Sequence, residues 1–195
     1  GQIAQVSLHL LPTSGGINIV VTWGTPSLTT GLMAYYPFNG NANDASGRGN
    51  NGVVSGALPT FDRRGTPNSA YFFDGVNDNI AIASSPSLHP FNQLTITFWI
   101  RVDSINNNHM AILHKGGEAI LQPWLANREY AIYAKQNFSA YYFLIYSAGN
   151  EGEQHEVNSN SFFHNRWLFV AAVYDRINHT MKSYVNGVLN QQVYD

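Results

Sequence analysis

The chain has 195 residues, a length that suits one β-sandwich domain, and charged residues make up only 11% of it. Its net charge is −2 and it has no basic stripe, which argues against nucleic acid as a partner. The absence of cysteine excludes disulfide bonds and thiolate metal ligands, and no apolar run approaches the roughly 18 residues of a membrane span.

The predicted elements are short strands separated by polar turns. Residues 6–23 alternate between apolar and polar side chains around Gly15 and Gly16, which predicts a hairpin. Further strands are predicted at residues 32–38, 70–73, 79–83, 94–102, 111–114, 129–135, 141–147, 167–174 and 182–185. Asn186 and Gly187 predict another hairpin turn, since both tolerate a positive φ. No segment shows a sustained helical period, so the fold class predicted is all-β, a two-sheet antiparallel jelly-roll sandwich.

The loop that follows residue 38 is rich in oxygen-bearing side chains and glycine. Calcium takes about six to eight oxygen ligands, and glycines let a loop curl so that its carbonyl groups point inward. Asp44 offers a carboxylate, Asn41 and Asn50 offer amide oxygens, and Ser46 and Gly49 offer backbone carbonyls. These residues predict a calcium site, and the alternative is a tight polar loop held by Asx turns.

Four segments of the chain resemble, in order, the motifs of one family. They are YYPFNGNANDASGRGNNG at 35–52, residues 69–80, residues 94–100, and residues 167–175 with 184–187. They are similar to the laminin G-like, pentraxin-like branch of the concanavalin A-like lectin/glucanase superfamily. The resemblance implies a two-sheet jelly roll and calcium at the first loop, carried over to Asp44 first and then to Asn41, Ser46, Gly49 and Asn50.

The resemblance also divides the chain. It covers residues 28–195, which we expect to form a concanavalin A-like domain that lacks the family's last strands. Residues 1–27 are expected to be an N-terminal β-hairpin extension, or the end of a preceding domain. A hairpin there could cover an open sheet edge.

Aromatic side chains mark the candidate ligand site, since sugar rings stack on aromatic faces. Trp124 follows Pro123 in a predicted loop, and Trp99 lies on the face of its strand opposite Leu94. Tyr130 and Tyr142, on later strands, complete the predicted ligand-binding set. The alternative for each is a place in the core, where most aromatic residues of a β-sandwich lie.

Candidate catalytic residues are sparse. Glu151 and Glu153 alternate as a pair of glycosidase carboxylates would, but their segment has no alternating apolar partners and is predicted to be a solvated loop. No Gly-x-Ser-x-Gly elbow or paired-histidine metal motif is present. Asp74 and Asp78 are interpreted as turn residues, with a second ion site as the alternative.

These features predict a binding module that is not an enzyme. We expect a calcium-stabilised, carbohydrate-binding or adhesive domain of a secreted or cell-surface protein, part of a larger chain or assembly, with no membrane insertion. One alternative is a protein–protein interaction or structural subunit of a cell-surface assembly. A glycoside hydrolase or lyase is the third hypothesis.

Overall fold

The structure is a computed structural model that describes residues 2–5, 31–90, 92–103, 110–116, 128–135, 140–146, 154–159 and 165–194. The strands within these ranges are β1 (Gln2–Gln5), β2 (Gly52–Ser55), β3 (Leu58–Thr60), β4 (Ala70–Phe73), β5 (Asn79–Ile82), β6 (Gln93–Arg101), β7 (Met110–Gly116), β8 (Arg128–Lys135), β9 (Ala140–Tyr146), β10 (Gln154–Ser159), β11 (Trp167–Asp175), β12 (Thr180–Val185) and β13 (Val188–Tyr194). The helical element of the described residues is one 3-10 turn, Pro86–Leu88. In these ranges we find no helix with the length and apolarity to cross a membrane.

The strands form three antiparallel sheets. The largest has seven strands in the order β13-β12-β11-β6-β1-β4-β3, the second has four in the order β10-β9-β8-β7, and β2 pairs with β5. This arrangement confirms the predicted all-β sandwich.

The core lies between the two larger sheets, and β6 shows why the sequence folds this way. Its residues Leu94, Ile96, Phe98 and Ile100 are buried, while the residues between them are half-buried on the other face. Burying each large apolar side chain stabilises the fold by about 1.5–3 kcal/mol. The Phe98 ring meets the Tyr141 ring of β9 edge-on at 6.5 Å between centroids, so the two sheets pack face to face.

The prediction of a strand at residues 32–38 is wrong. The segment is extended, and Tyr36 and Phe38 are buried on one side, which explains the period of two in the sequence. Its backbone, however, bonds to the following loop rather than to a strand. The Tyr35 carbonyl accepts a hydrogen bond from the Ala45 N–H at 2.8 Å, and its N–H donates to a loop carboxylate.

Four strands, β1, β2, β3 and β10, were not predicted. β10 includes residues 154–156, for which the solvated-loop prediction is wrong, because each of them pairs with β9. A polar strand at the end of a sheet needs no alternating apolar residues, so it leaves no period-two signal. β2 and β3 are four and three residues long, and β3 carries Pro59 at the edge of the large sheet, where proline is tolerated.

The N-terminal strand lies inside the large sheet. β1 pairs with β4 on one side and with β6 on the other. The hairpin predicted at residues 6–23 lies outside the described residues. A domain division at residue 27 therefore stays a prediction.

Candidate functional site

The loop at residues 39–51 is organised by the Asp44 carboxylate. Oδ1 accepts hydrogen bonds from the backbone N–H groups of Tyr35 at 3.0 Å and Ser46 at 2.8 Å. Oδ2 accepts from the Ser46 hydroxyl at 2.8 Å and from the backbone N–H of Asn50 at 3.0 Å. One side chain thereby ties the preceding extended segment to both halves of the loop.

These contacts set the charge of the loop. Partial burial alone would raise the pKa of the Asp44 carboxyl, but the hydrogen bonds from Ser46, Tyr35 and Asn50 outweigh burial and lower the pKa below its ordinary value of 3.8. Burial, and then the negative charge of Asp44, raise the pKa of the nearby Tyr36 hydroxyl. The folded loop therefore holds an ionised Asp44 beside a protonated Tyr36.

The hydrogen-bond donors around Asp44 affect whether its carboxylate can bind calcium. A carboxylate has about four lone-pair directions, and here each is taken by an N–H or O–H group whose hydrogen faces the oxygen. As arranged, this carboxylate does not fit a calcium ion. Within the described ranges, no group of three or more histidine or acidic side chains is placed to hold a metal ion either. The remaining predicted ligands are Asn41, Ser46, Gly49 and Asn50, and calcium binding by the set stays a prediction.

Asn50 connects the loop to the 3-10 turn. Its side chain is buried, and its Nδ2 donates to the Met33 carbonyl at 2.8 Å and to the Ser87 hydroxyl at 2.9 Å. Its own backbone carbonyl accepts the Tyr36 hydroxyl proton. Ser87 Oγ lies 2.8 Å from Ser85 Oγ, so a line of polar contacts runs from the loop into the turn.

The 3-10 turn brings two residues five positions apart into contact. Ser85 caps the turn, and Leu88 is buried with its carbonyl accepting the Tyr130 hydroxyl at 3.1 Å. The turn is therefore fastened to β8 at one end. Ser84 and His89, which flank it, meet with 3.1 Å between Oγ and Nε2.

A bulge in β8 positions the acidic side chain of Glu129. Lys115 of β7 lies opposite Tyr130, but the next pair is Gly116 with Arg128, so Glu129 has no partner across the ladder. Bulges redirect side chains and are common beside functional sites. This one brings a lysine and a glutamate together at the edge of the four-stranded sheet.

Four side chains meet where the turn and the bulge lie together, and we name Ser84, His89, Lys115 and Glu129 the polar cluster. His89 Nδ1 lies 2.9 Å from Glu129 Oε1. Lys115 Nζ lies 3.7 Å from the same oxygen and donates to Ser84 Oγ at 3.2 Å. The Lys115 side chain is 13% exposed, whereas the His89 side chain is 45% exposed. The cluster is therefore mostly buried at Lys115 and accessible to solvent at His89.

A cavity of about 950 Å³ opens beside the polar cluster. Its walls come from β5, β7, the turn at residues 74–78 and the end of β6. Ile80, Ile82, Ile112 and Leu113 form apolar wall, and all members of the polar cluster lie on its lining. Small-molecule sites are usually apolar pockets with a few polar groups that point into them.

The predicted aromatic ligand residues fall in different places. Tyr130 lines the cavity but is buried at 4% exposure, so its ring belongs to the core. Burial first, and then the charge of Glu129, raise the pKa of the Tyr130 hydroxyl. Trp124 and the side chain of Tyr142 lie outside the described part of the chain.

Trp99 lies apart from the cavity, on the outer face of the seven-stranded sheet. Its ring packs against Phe169 of β11 at 5.4 Å between centroids. The Arg63 guanidinium carbon lies 4.2 Å from the Trp99 ring centroid, a cation–π distance. A sugar that stacked on this face would have to displace Arg63.

The other acidic candidates that the structure describes, Asp74 and Asp78, are turn residues. Asp78 Oδ2 accepts the Asp74 N–H at 2.8 Å, and Asp74 Oδ1 accepts the Val76 N–H at 2.8 Å. These are local turn contacts. Glu151 and Glu153 lie outside the described ranges.

Sequence reasoning did not single out the polar cluster. Its members come from the two ends of a short turn and from two strands, so no spacing along the chain connects them. His89 was one of seven scattered histidines. The available local signal was Ser85 followed by Pro86, a helix-start pattern that predicts a turn but not what the turn brings together.

A β-sandwich with a cavity beside β7, the end strand of its four-stranded sheet in the described residues, is compatible with a lectin-like fold. The family model described as concanavalin A-like lectin/glucanases superfamily, of laminin G type, matches residues 74–193. The chain belongs to this family, as the motifs in its sequence indicated. Laminin G-like domains are usually non-catalytic binding modules. No curated protein matches the chain.

Proposed function

We propose that this domain binds carbohydrate in the cavity beside the polar cluster. The observation that supports the proposal is the cavity itself, whose volume of about 950 Å³ lies in the range of small-molecule sites. Its apolar wall, which includes Ile112 and Leu113, can cover the C–H face of a sugar ring. The polar cluster can meet the hydroxyl groups on the ring edge.

The charges at the cavity favour a neutral ligand. Lys115 and Glu129 carry opposite charges 3.7 Å apart, so the cluster adds little net charge. Its hydroxyl, ammonium, imidazole and carboxylate groups offer donors and acceptors side by side. Sugar hydroxyl groups both donate and accept hydrogen bonds, which suits this mixture better than a phosphate or a purely apolar ligand does.

The proposal includes a setting outside the cell. A glycan-binding domain meets its ligands on cell surfaces or in the extracellular matrix, as one module of a larger chain or assembly. A chain without cysteine is compatible with an oxidising compartment, since it has no thiol to oxidise. Calcium is not required by the proposal, because none of its contacts comes from the loop at residues 39–51.

A glycan array tests the proposal, with two matched variants. Ala83 is exposed and lines the cavity, whereas Ala45 is exposed on the distant loop. We expect the unmodified protein to bind a neutral glycan, Ala83→Arg to lose at least about tenfold in affinity by blocking the cavity, and Ala45→Arg to bind normally. Trp124→Ala, included as a further variant, tests the aromatic residue predicted from the sequence.

Two results would reject the proposal. The first is no bound glycan across a broad array while the protein is folded by circular dichroism. The second is glycan binding that Ala83→Arg leaves intact, which would place the ligand elsewhere, such as at Trp124 or at Trp99.

One observation favours a protein partner as the second candidate function. β13 ends the order of the seven-stranded sheet, and Val188, Leu189 and Tyr194 on it are 69%, 48% and 78% exposed. An edge strand with exposed apolar side chains can pair with another chain. Concentration-dependent self-association that Val188→Lys abolishes, without any glycan bound, would favour this candidate.

A further inference from the structure

The polar cluster contains the parts of a nucleophilic site. A nucleophile needs a base within about 2.6–3.2 Å, and the base needs a third group that orients it. Ser84 Oγ lies 3.1 Å from His89 Nε2, and His89 Nδ1 lies 2.9 Å from Glu129 Oε1. Serine, histidine and carboxylate therefore stand in the order that acyl-transfer chemistry requires.

The hydrogen bonds assign a role to each nitrogen. With its proton on Nδ1, His89 donates to the Glu129 carboxylate, and Nε2 is then free to accept the Ser84 hydroxyl proton. Lys115 Nζ donates to Ser84 Oγ at 3.2 Å, so a positive charge faces the oxygen that would become an alkoxide. The four groups form a closed ring, and the contacts of Ser84 with His89 and with Lys115 both favour loss of the serine proton.

The surroundings hold this ring in place while leaving it accessible. Ser84 and His89 flank the 3-10 turn, and that turn is fixed by the buried Leu88 and by the hydrogen bond from Tyr130. Ser84 is itself exposed and lines the cavity, so an attacking oxygen faces the space in which a ligand can lie.

We propose that Ser84 is a nucleophile that cleaves carboxylic esters, in particular O-acyl groups carried by ligands in the cavity. Ser84 Oγ attacks the acyl carbon while its proton moves to His89 Nε2. The ester C–O bond then breaks, and His89 returns the proton to the departing alcohol oxygen. Water, deprotonated by His89, hydrolyses the acyl-serine to a free carboxylic acid and restores Ser84.

This proposal departs from the sequence-based expectation of a domain without catalysis. It goes beyond carbohydrate binding and does not depend on it, since a small reagent can report on Ser84 alone. Lys115 places one positive charge beside the attacking oxygen of Ser84, so we expect turnover of activated esters rather than of amides. Amides have the poorer leaving group.

A fluorophosphonate probe tests the nucleophile directly. Such a probe phosphonylates an activated serine and releases fluoride, and mass spectrometry of the intact protein and of its peptides locates the adduct. We expect one adduct at Ser84, none in Ser84→Ala, and labelling at least about 100-fold slower in His89→Gln, which lacks the base. Glu129→Gln should also label more slowly, because the imidazole loses the carboxylate that orients it.

The matched control is Ser55→Ala, which removes an exposed serine of β2 and should label as the unmodified protein does. Hydrolysis of an aryl acetate should follow the same order among the variants. The proposal is overturned if the folded protein is not labelled at Ser84, or if His89→Gln labels at the unmodified rate. Melting curves confirm folding, and because Ser84 and His89 are exposed, these variants should melt with the unmodified protein.

Discussion

Asp44 is the residue whose replacement has the clearest predicted consequence. The Asp44 carboxylate accepts hydrogen bonds from four donors. Asp44→Asn keeps the size of the side chain but turns an NH2 group, itself a donor, toward two of them. Hydrogen bonds to charged groups are worth about 1.5–3 kcal/mol each, and unpaired donors add a cost. We expect the free energy of unfolding in urea to fall by about 2 kcal/mol or more.

Asp74→Asn is the matched control, because Asp74 is an exposed turn aspartate whose Oδ1 accepts a backbone hydrogen bond from Val76. We expect it to cost about 0.5–1 kcal/mol. Equal losses for the two variants would show that the contacts around Asp44 do not organise the loop.

The same contacts predict a pH dependence. The folded pKa of Asp44 is lowered below 3.8, so its contribution to stability is fully present above the unfolded pKa. That contribution is lost as the pH falls from about 4 through the lower folded pKa. The difference in stability between the unmodified protein and Asp44→Asn should therefore be constant near neutrality and become smaller in acid.

Calcium is tested at the same residue. Because the Asp44 oxygens already face four donors, we expect melting curves recorded with excess chelator and with excess calcium to coincide. The calcium site predicted from the sequence requires the opposite result. An ion held at 100 times its dissociation constant adds about 2.7 kcal/mol, which shifts the melting temperature of a domain this size by several degrees.

At the scale of elements, the connection between β2 and β3 depends on a glycine. Gly56 has φ of +79°, and a Cβ there would collide with the Asp78 carboxylate. Gly65 has φ of +81° and open space around it. Gly65→Ala measures the backbone strain alone, about 1 kcal/mol, whereas Gly56→Ala should cost roughly 1–2 kcal/mol more because the carboxylate must leave the Asp74 N–H.

Thermal unfolding of the two variants side by side measures that difference. The close approach of Gly56 to Asp78 would be refuted by a Gly56→Ala protein that melts with Gly65→Ala.

Element prediction from the sequence succeeded where one face of a strand is buried and the other is not. β6 was predicted within one residue at each end because Leu94 to Ile100 alternate in burial. The prediction failed at residues 32–38, where apolar and polar residues do alternate but the backbone bonds to the next loop. It also failed at β10, because a polar strand shows no alternation of apolar residues in its sequence. The pattern of apolar and polar residues predicts which side chains are buried, but it does not predict which backbone segments pair.

At the scale of the whole molecule, the site is assembled from segments far apart in the chain. The oxygen-rich loop was predicted from composition, and the structure gives its carboxylate a defined set of partners. The polar cluster joins a turn after β5 to β7 and to a bulge in β8, and only the tertiary fold brings them together. Sequence spacing therefore predicted the loop but could not predict the cluster.

The contact between Asn50 and Ser87 is the point where the loop and the cluster-bearing turn meet, at 2.9 Å between Nδ2 and Oγ. If this contact couples the two regions, the losses for Asn50→Ala and Ser87→Ala should not add. A double-mutant cycle measured by urea unfolding should give an interaction energy of about 0.5–3 kcal/mol. Ser87→Ala with Asp62→Asn, in the separate turn before β4, should add within about 0.5 kcal/mol. Additive losses for the first pair would mean that the loop folds independently of the turn.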